Sequence, residues 1–236
     1  MPRQRSTFTA TFIDDLSRAL YHQKNIDRAN EYLSSRKLNP LNLKFPWTAT
    51  GSDPAEFNYF RGILPPVIFC DCLYIPIVEI DSDPENPVLG GFDVRFLGDQ
   101  AHRLRWAKRR RDVSTEFLYN AHTILTVDQI IVAEGAMDVE SFRLCGYEAI
   151  SPLGSLFSPR FVHFLYATEC EIYLAYDNDS AGHSAQSKIL EYVSRYVPAQ
   201  VKFHTLIYPY KDPNECLQKL GTDGLKAKID CQLRSY

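Results

Sequence analysis

The stretch LAYDNDSAGHSA, residues 174–185, joins an apolar run to two closely spaced carboxylates. Residues 172–176 are all apolar or aromatic, which is typical of a strand buried within a sheet. Asp177 and Asp179 follow at once, and a helical pattern begins after Gly182. Because alternate residues of an extended segment point the same way, both carboxylates can face one ion. We therefore predict a strand, an acidic loop and a helix in succession.

Strand and helix patterns alternate through the chain from residue 125 onward. Such alternation favours an α/β fold, with a parallel sheet flanked by helices. Strands are predicted at 129–133, 147–151, 171–176 and 200–207, and helices at 136–145, 158–167, 184–197 and after residue 212.

The chain before residue 125 has a different pattern. Two short helical patterns come first, and Asn25 is a candidate N-cap for the second of them. Strand-like runs follow at 67–80 and 90–97, separated by the turn-forming residues 81–87. This part is predicted to be a smaller, mixed α+β subdomain with antiparallel strands.

Acidic side chains follow three of the predicted parallel strands. Glu134 and Asp138 come after the first strand, and Asp212 lies in the loop after the last. In an open parallel sheet, ligands bind outside the carboxyl ends of the strands, so these acids can meet Asp177 and Asp179 there. Such a cluster needs a counter-charge, and hard divalent cations prefer oxygen ligands. The pattern predicts a magnesium or manganese site for one or two ions.

Each acidic motif also has a purely structural interpretation. An Asp-x-Asp pair after a strand can form an Asx turn or a helix cap. Asp212 can act as an N-cap, with Pro213 in the first helical position and Glu215 completing a capping box. A capping role does not exclude metal binding, so both interpretations stay open.

The charge of the chain is unevenly distributed. The formal net charge is −3, but residues 102–111 contain six Lys or Arg side chains around Trp106. Basic side chains neutralise phosphates, and an indole can stack on a base. The alternative is a solvated strand edge whose charges prevent aggregation. Both interpretations stay open on composition alone.

Composition excludes several other classes of protein. At 236 residues and 45% hydrophobic content, the chain can bury a sizeable core. No apolar stretch predicts a membrane span or a signal peptide. The six cysteines include no CxxC pair, so we expect buried free thiols and no zinc site. These features favour a cytoplasmic protein.

The acidic motifs resemble the two signatures of the TOPRIM fold. IIVAEGAMDVESF, residues 130–142, is similar to the EGxxD signature, and residues 174–185 are similar to DxDxxG. SPLGSL at 151–156 and YKDPNE at 210–215 resemble segments of bacterial-type (DnaG-like) primases. Upstream, residues 29–45 and 74–98 resemble the opening helix and the strand–turn–strand of the same primase core.

The resemblance implies roles for individual residues. Glu134 matches the TOPRIM glutamate, a metal-associated general acid or base in nucleotidyl transfer. Asp138, Asp177, Asp179 and Asp212 match acidic positions associated with divalent metal. Positions implied to contact nucleic acid or nucleotide are Arg95, Arg103, Arg105, Trp106, Lys108, Arg109, Arg110, Arg111 and Lys211.

The activity implied is DNA-dependent RNA primer synthesis. The expected partners are a single-stranded DNA template and ribonucleoside triphosphates, with a replicative helicase or a separate zinc-binding protein as further candidates. The zinc-binding cysteine pattern of bacterial-type primases does not occur here, which suggests a phage or mobile-element primase or a core fragment. A TOPRIM nuclease and a non-catalytic nucleic-acid-binding module are the alternatives. The predicted domains are a primase-core subdomain (1–122), a TOPRIM domain (123–222) and a C-terminal tail or helix (223–236).

Overall fold

A computed structural model describes most of the chain, namely residues 10–43, 45–61, 66–78, 89–97, 118–154, 159–198 and 202–233. These residues form two compact units. The first contains the described residues of 10–35, 39–78 and 89–97, and the second contains 36–38 and 118–233. The predicted turn at 81–87 and the basic stretch, residues 102–111, lie outside the described residues.

The first unit contains a small antiparallel sheet and two helices. Its central strand, β2, pairs with β1 on one side and β3 on the other, which confirms the predicted antiparallel pair. Leu16, Leu20, Phe57, Phe69 and Tyr74 are buried in one cluster against this sheet. The elements are α1 (Ala10–Leu20), α2 (Gln23–Ser35), β1 (Thr48–Ala49), β2 (Cys72–Val78) and β3 (Leu89–Phe96).

Two local predictions in the first unit are wrong. α2 begins two residues before Asn25, whose buried side chain donates instead to the Leu20 carbonyl at the end of α1. Asn25 therefore satisfies a helix C-terminus rather than an N-terminus. Residues Pro66–Phe69 form a 3₁₀ turn, and β2 begins at Cys72. Cys70 thus precedes the strand, although it lies within the run predicted as a strand at 67–80.

The second unit has the predicted β-α-β-α-β-α-β-α order. Its four strands are all parallel and lie in the spatial order β5-β4-β6-β7. The α/β fold with a parallel sheet flanked by helices is therefore confirmed. The elements are β4 (Gln129–Ala133), α3 (Ala136–Leu144), β5 (Ala149–Ile150), α4 (Pro159–Ala167), β6 (Glu171–Ala175), α5 (Ser180–Tyr196), β7 (Phe203–Thr205) and α6 (Pro213–Leu233).

The core of this unit explains why the central strands are continuously apolar. β4 and β6 pair with each other, and four of the five residues of each strand are buried. Phe161 and Leu165 of α4 and Ile189 of α5 pack into the same cluster as the strands. Strands buried on both faces need apolar residues on both faces.

Several boundaries in the second unit differ from those predicted. α5 begins at Ser180 rather than 184, because Asp179 caps it, and β7 is limited to Phe203–Thr205. α6 continues across residue 222 with a kink at Gly221, whose φ is 73°. The predicted domain limits at 122 and 222 stay predictions.

Two exclusions made from composition can be compared with the described residues. All six cysteines are free, and all but Cys231 are buried. Within the described ranges, no helix combines the length and apolarity that crossing a bilayer needs.

A candidate acidic site at the carboxyl edge of the parallel sheet

The five predicted acids all lie in the second unit, beyond the carboxyl ends of its strands. Glu134 follows β4, and Asp138 lies in the first turn of α3. Asp177 and Asp179 occupy the loop between β6 and α5. Asp212 immediately precedes α6.

The pKa values of two aspartates show that these carboxylates influence one another. Asp138 is 7% exposed, and its pKa is raised well above the ordinary value by burial and by the charges of Asp212, Asp177 and Glu134. Burial, then Glu134 and Asp212, raises the pKa of Asp177 to about 6. Mutual elevation of this kind is expected where several carboxylates share a partly desolvated space.

Asp179 combines the capping interpretation with the metal interpretation. Its Oδ1 accepts hydrogen bonds from the backbone N–H groups of Ala181 and Gly182, both at 3.0 Å. These bonds, above all the one from Gly182, lower the pKa of Asp179. The cap fixes the loop, while Oδ2 faces Lys211 at 3.7 Å. One side chain therefore serves helix α5 and the acidic site.

Asp212 and Glu215 form a variant of the predicted capping box. The Asp212 Oδ1 accepts from the Glu215 N–H at 2.6 Å, as expected for an N-cap. Glu215 reaches back to the N–H of Lys211, at 3.1 Å, and not to that of Asp212. The box is thus displaced by one residue, and it fixes the backbone of Lys211.

Lys211 supplies the positive charge nearest to the Asp177–Asp179 pair among the described residues. Its Nζ lies 3.7 Å from Asp177 Oδ2 and 3.7 Å from Asp179 Oδ2. The charge of Asp177 raises the pKa of Lys211 most. Partial burial lowers this pKa, but the other acids raise it further, so the pKa is raised overall.

Two glycines let the backbone approach the acids closely. A Cβ on Gly182 would overlap the carbonyl oxygen of Asp177 and lie 2.9 Å from its amide nitrogen. A Cβ on Gly135 would lie 3.0 Å from Asp138 Oδ2. The glycines of both sequence signatures therefore belong to the geometry of the site.

The SPLGSL segment holds the backbone of Glu134. Ser151 Oγ and the Gly154 N–H donate to the Glu134 carbonyl at 2.7 and 2.8 Å. Ser151 Oγ accepts in turn from the N–H of Leu153, which has a φ of 57°. The motif thus fixes where the Glu134 side chain begins.

Asn214 is a positioning residue that sequence reasoning missed. Its backbone N–H donates to Asp138 Oδ1 at 3.2 Å. Its buried carboxamide donates to Ser141 Oγ and the Arg36 carbonyl, and accepts from Arg36 Nε and Gln218 Nε2. The only signal in the sequence was its place after Asp212-Pro213, within a motif otherwise interpreted through its acid.

Tyr208 was also missed. It is 6% exposed, and its hydroxyl donates to the carbonyl of Tyr176, immediately before Asp177. Burial, followed by the charges of Asp138, Asp177 and Asp212, raises the pKa of this phenol. A neutral hydroxyl therefore holds the end of β6 just before Asp177, a role that no spacing in the sequence indicates.

The donor set fits a hard divalent cation. Glu134, Asp138, Asp177, Asp179 and Asp212 would hold it, and all offer carboxylate oxygens, the ligands that Mg²⁺ and Mn²⁺ prefer. Within the part of the chain that the structure describes, no three acidic, histidine or cysteine side chains converge closely enough to hold an ion as they stand.

Among the predicted basic positions that the structure describes, Lys211 lies beside the acids of the second unit, and Arg95 belongs to the first unit. Arg95 lies on β3 of the first unit, opposite Leu73, and its side chain is exposed. Arg103, Arg105, Trp106, Lys108 and Arg109–Arg111 lie outside the described residues. Their contacts with nucleic acid stay predictions.

Comparison with known proteins relates the acidic site to one family. Residues 131–217, which include every acid of the site, match the family described as Toprim-like. The DNA primase of Thermotoga maritima is 36% identical over 162 residues, which cover 65% of this chain and 27% of that protein. The DNA primase of Treponema pallidum is 26% identical, over 89% of this chain and 38% of that protein. The chain therefore spans less than two fifths of the length of these relatives.

Solved structures show the same fold. A DnaG catalytic core superposes with a TM-score of 0.70 and 21% identity, covering 93% of this chain and 78% of that one. A DNA primase domain from Pseudomonas aeruginosa gives 0.71 and 20% identity, covering 93% and 77%. In fold, the chain is similar to the catalytic cores of DnaG-like primases, and in sequence it is similar to DNA primases. A Toprim core of this kind implies dependence on a divalent metal ion.

Proposed function

We propose that this chain synthesises RNA primers on single-stranded DNA by metal-dependent nucleotidyl transfer. The observation that carries the proposal is the cluster of acids at the carboxyl edge of the sheet, where burial and mutual charge raise the pKa values of Asp138 and Asp177. The relationship to DNA primases supports the same activity. Without a bound cation this arrangement is electrostatically unfavourable, which suits a site that binds one.

The proposed division of roles follows the positions of the side chains. Asp138, Asp177, Asp179 and Asp212 would hold Mg²⁺ or Mn²⁺, and Glu134 would hold the ion or move a proton from the attacking hydroxyl. When bound, the metal supplies charge stabilisation for the phosphates of the nucleotide. Lys211 is positioned to contact a phosphate beside Asp177 and Asp179.

The proposed partners follow from charge and from the relatives. One solved primase domain of the same fold is bound to single-stranded DNA. We infer that the basic stretch at 102–111 and Arg95 contact the template and that ribonucleoside triphosphates are the substrates. A replicative helicase is a further proposed partner, and a separate zinc-binding protein would select where priming starts. The reaction would take place in the cytoplasm of a bacterium or a phage-infected cell.

Primer synthesis on mixed-sequence single-stranded DNA tests the proposal. The reaction contains labelled ribonucleotides and Mg²⁺ or Mn²⁺, and the wild type is compared with Glu134→Gln and Asp177→Asn. Asp128→Asn, an exposed residue just before β4, is the matched control. Short RNA from the wild type and the control, absent from both site variants, is expected. Metal-dependent shortening of the DNA without RNA would indicate a nuclease. If neither activity is observed, the chain is a core that needs a zinc-binding protein or a helicase, or it is a binding module.

A further inference from the structure

Lys211 is held across the Asp177–Asp179 pair by its own backbone. Its carbonyl accepts a hydrogen bond of 2.6 Å from the N–H of Asn178, the residue between the two aspartates. Its N–H donates to Glu215 Oε2 in the first turn of α6. Two elements thus fix the Cα of Lys211 beside the acidic loop, and the direction of its side chain follows from this attachment.

The ammonium group itself is held loosely. The distance of 3.7 Å to each carboxylate exceeds the 2.7–2.9 Å that is typical of charge-assisted hydrogen bonds. The Lys211 side chain is 57% exposed, and a flexible chain of four carbons separates its charge from the backbone. It can therefore leave the carboxylates at a small cost in free energy. A tightly packed, bidentate ion pair could not do so.

The position of the ammonium is also where a metal would be needed. Asp177 and Asp179 each direct Oδ2 at Lys211, and these are oxygens that a divalent cation would require. Two cations cannot occupy the space between the same oxygens, because they repel each other strongly at such distances. Lys211 and the metal must therefore compete.

We propose that Lys211 is the built-in counter-cation of the Asp177–Asp179 pair, that a divalent metal displaces its ammonium group, and that the displaced ammonium then binds the phosphates of the incoming nucleotide. The inference rests on the proposed function for its metal and its nucleotide. It adds an exchange of partners by one lysine, which links metal binding to nucleotide binding.

The exchange has opposite consequences for the two ligands. When the Lys211 charge is removed, no ammonium group competes with the metal for the carboxylates. The metal therefore binds more tightly in the absence of nucleotide. With the metal bound, the nucleotide loses a phosphate ligand and binds more weakly. Coupling between two ligands is reciprocal, so part of the cooperation between metal and nucleotide disappears with Lys211. A merely structural lysine would change neither affinity in this pattern.

Calorimetric titration with Mn²⁺ in the absence of nucleotide tests the first consequence. Lys211→Met is compared with the wild type and with Lys219→Met, an exposed lysine of α6 that serves as the matched control. We expect Lys211→Met to bind Mn²⁺ about 10-fold more tightly, as order-of-magnitude electrostatics at this distance allows. Lys211→Arg, which keeps the charge, and Lys219→Met should bind like the wild type. Equal or weaker binding by Lys211→Met overturns the inference.

Titration with ATP at saturating Mn²⁺ tests the second consequence. Lys211→Met should bind ATP about 10-fold more weakly, the effect of one lost charged contact of about 1.4 kcal/mol. Circular dichroism confirms folding, and Lys211→Gln replaces Lys211→Met if that variant aggregates. Unchanged ATP affinity would remove the phosphate part of the exchange.

The failure of this inference can be distinguished from failure of the proposed function. A wild type that makes primers, while Lys211→Met binds Mn²⁺ as the wild type does, refutes only the exchange. A wild type that makes no primer, while Lys211→Met binds Mn²⁺ more tightly, keeps the exchange and refutes primer synthesis by this chain alone. If the wild type shows no Mn²⁺ binding that depends on Asp177, both the exchange and the proposed function are refuted.

Discussion

Gly182 shows how strictly a single residue can be determined by its surroundings. An added Cβ would overlap the backbone carbonyl of Asp177, which cannot move without moving the acidic loop. We predict that Gly182→Ala lowers the free energy of unfolding by about 2 kcal/mol, as for other overpacked sites. Urea denaturation measures the loss. Ser184→Ala, on the exposed side of the same helix, should change stability by less than about 0.5 kcal/mol. Equal effects of the two variants would contradict the predicted clash.

The ionised form of Asp138 should destabilise the metal-free protein. Its raised pKa reflects burial and the charges of Asp212, Asp177 and Glu134. We expect Asp138→Asn to leave the unfolding free energy without metal unchanged within about 1 kcal/mol, or to raise it, because the amide oxygen can still accept from Asn214. Thermal denaturation with and without Mg²⁺ should also show that the variant loses the metal-dependent rise in Tm.

The matched control for this charge change is Asp223→Asn, a residue on α6 away from the acids. It should keep the metal-dependent rise in Tm. A loss of more than about 2 kcal/mol in metal-free Asp138→Asn would mean that the ionised carboxylate stabilises the fold, contrary to the electrostatic argument.

At the scale of residues, sequence predicted the acids but not the groups that position them. Asp177 and Asp179 could be recognised because two carboxylates after a buried strand need a chemical reason. Asn214 and Tyr208 act through contacts with residues distant in the chain, such as Asn214 with Ser141 and Tyr208 with Tyr176. No local pattern distinguishes such residues from ordinary buried polar side chains.

At the scale of elements, Asn214 attaches the start of α6 to α3 and to Arg36. Replacing it by Ala removes the carboxamide partner of Ser141, Arg36 and Gln218, and all three of these contacts are partly or wholly buried. We predict that Asn214→Ala lowers the unfolding free energy by about 3 kcal/mol, the cost of buried polar groups left unsatisfied. Chemical denaturation provides the measurement. Asn42→Ala, the same change at an exposed site, should cost less than about 0.5 kcal/mol.

Glu171 joins the first residues of β6 to the neighbouring strands. Partial burial raises its pKa, but the hydrogen bond from His204 and the charge of Lys202 outweigh this, so the pKa is lowered overall. A lowered folded-state pKa contributes stability above the unfolded value, about 4.5, and this contribution is lost as the pH falls through the folded value. We predict that Glu171→Gln costs about 1 kcal/mol at pH 7 and that this cost fades below pH 4.5.

Urea denaturation between pH 3 and pH 7 measures this pH dependence. Glu191→Gln, which breaks an ion pair with Arg195 whose side chains are both about 60% exposed, is the control. It should cost almost nothing at any pH, since exposed ion pairs contribute little. A Glu171→Gln cost that stays constant down to pH 3 would contradict the assignment.

Element order was easier to predict than element boundaries. Strand and helix periodicity indicated all four parallel strands and the helices between them, because burial on both faces makes the strands continuously apolar. The start of α5 was predicted four residues late, since Asp179 was interpreted mainly as a ligand although it also caps the helix. The start of α2 was misplaced because Asn25 bonds to the preceding helix instead of to its own. Both errors concern which partner a polar side chain chooses.

At the scale of the whole molecule, positive charge is concentrated in one short stretch. The chain has a net charge of −3, and residues 102–111 contribute +6, so the remainder is −9. Most of the chain therefore repels a polyanion on average, and the acidic site adds to this repulsion. A protein of this charge can hold single-stranded DNA only if a local basic surface outweighs the rest.

This distribution predicts how the affinity for single-stranded DNA depends on salt. Each phosphate that a protein neutralises on a single strand contributes about 0.7 to the slope of log K against log salt concentration. Replacing Arg109, Arg110 and Arg111 by Gln should therefore reduce the magnitude of that slope by about 2. Fluorescence anisotropy with a labelled oligonucleotide at several salt concentrations gives the slope. The control Lys188→Gln/Lys219→Gln/Lys228→Gln makes the same change in net charge outside this stretch and should leave the slope nearly unchanged. If both triple variants reduced the slope equally, binding would follow net charge alone, and residues 102–111 would be a solvated surface without a special role in holding the template.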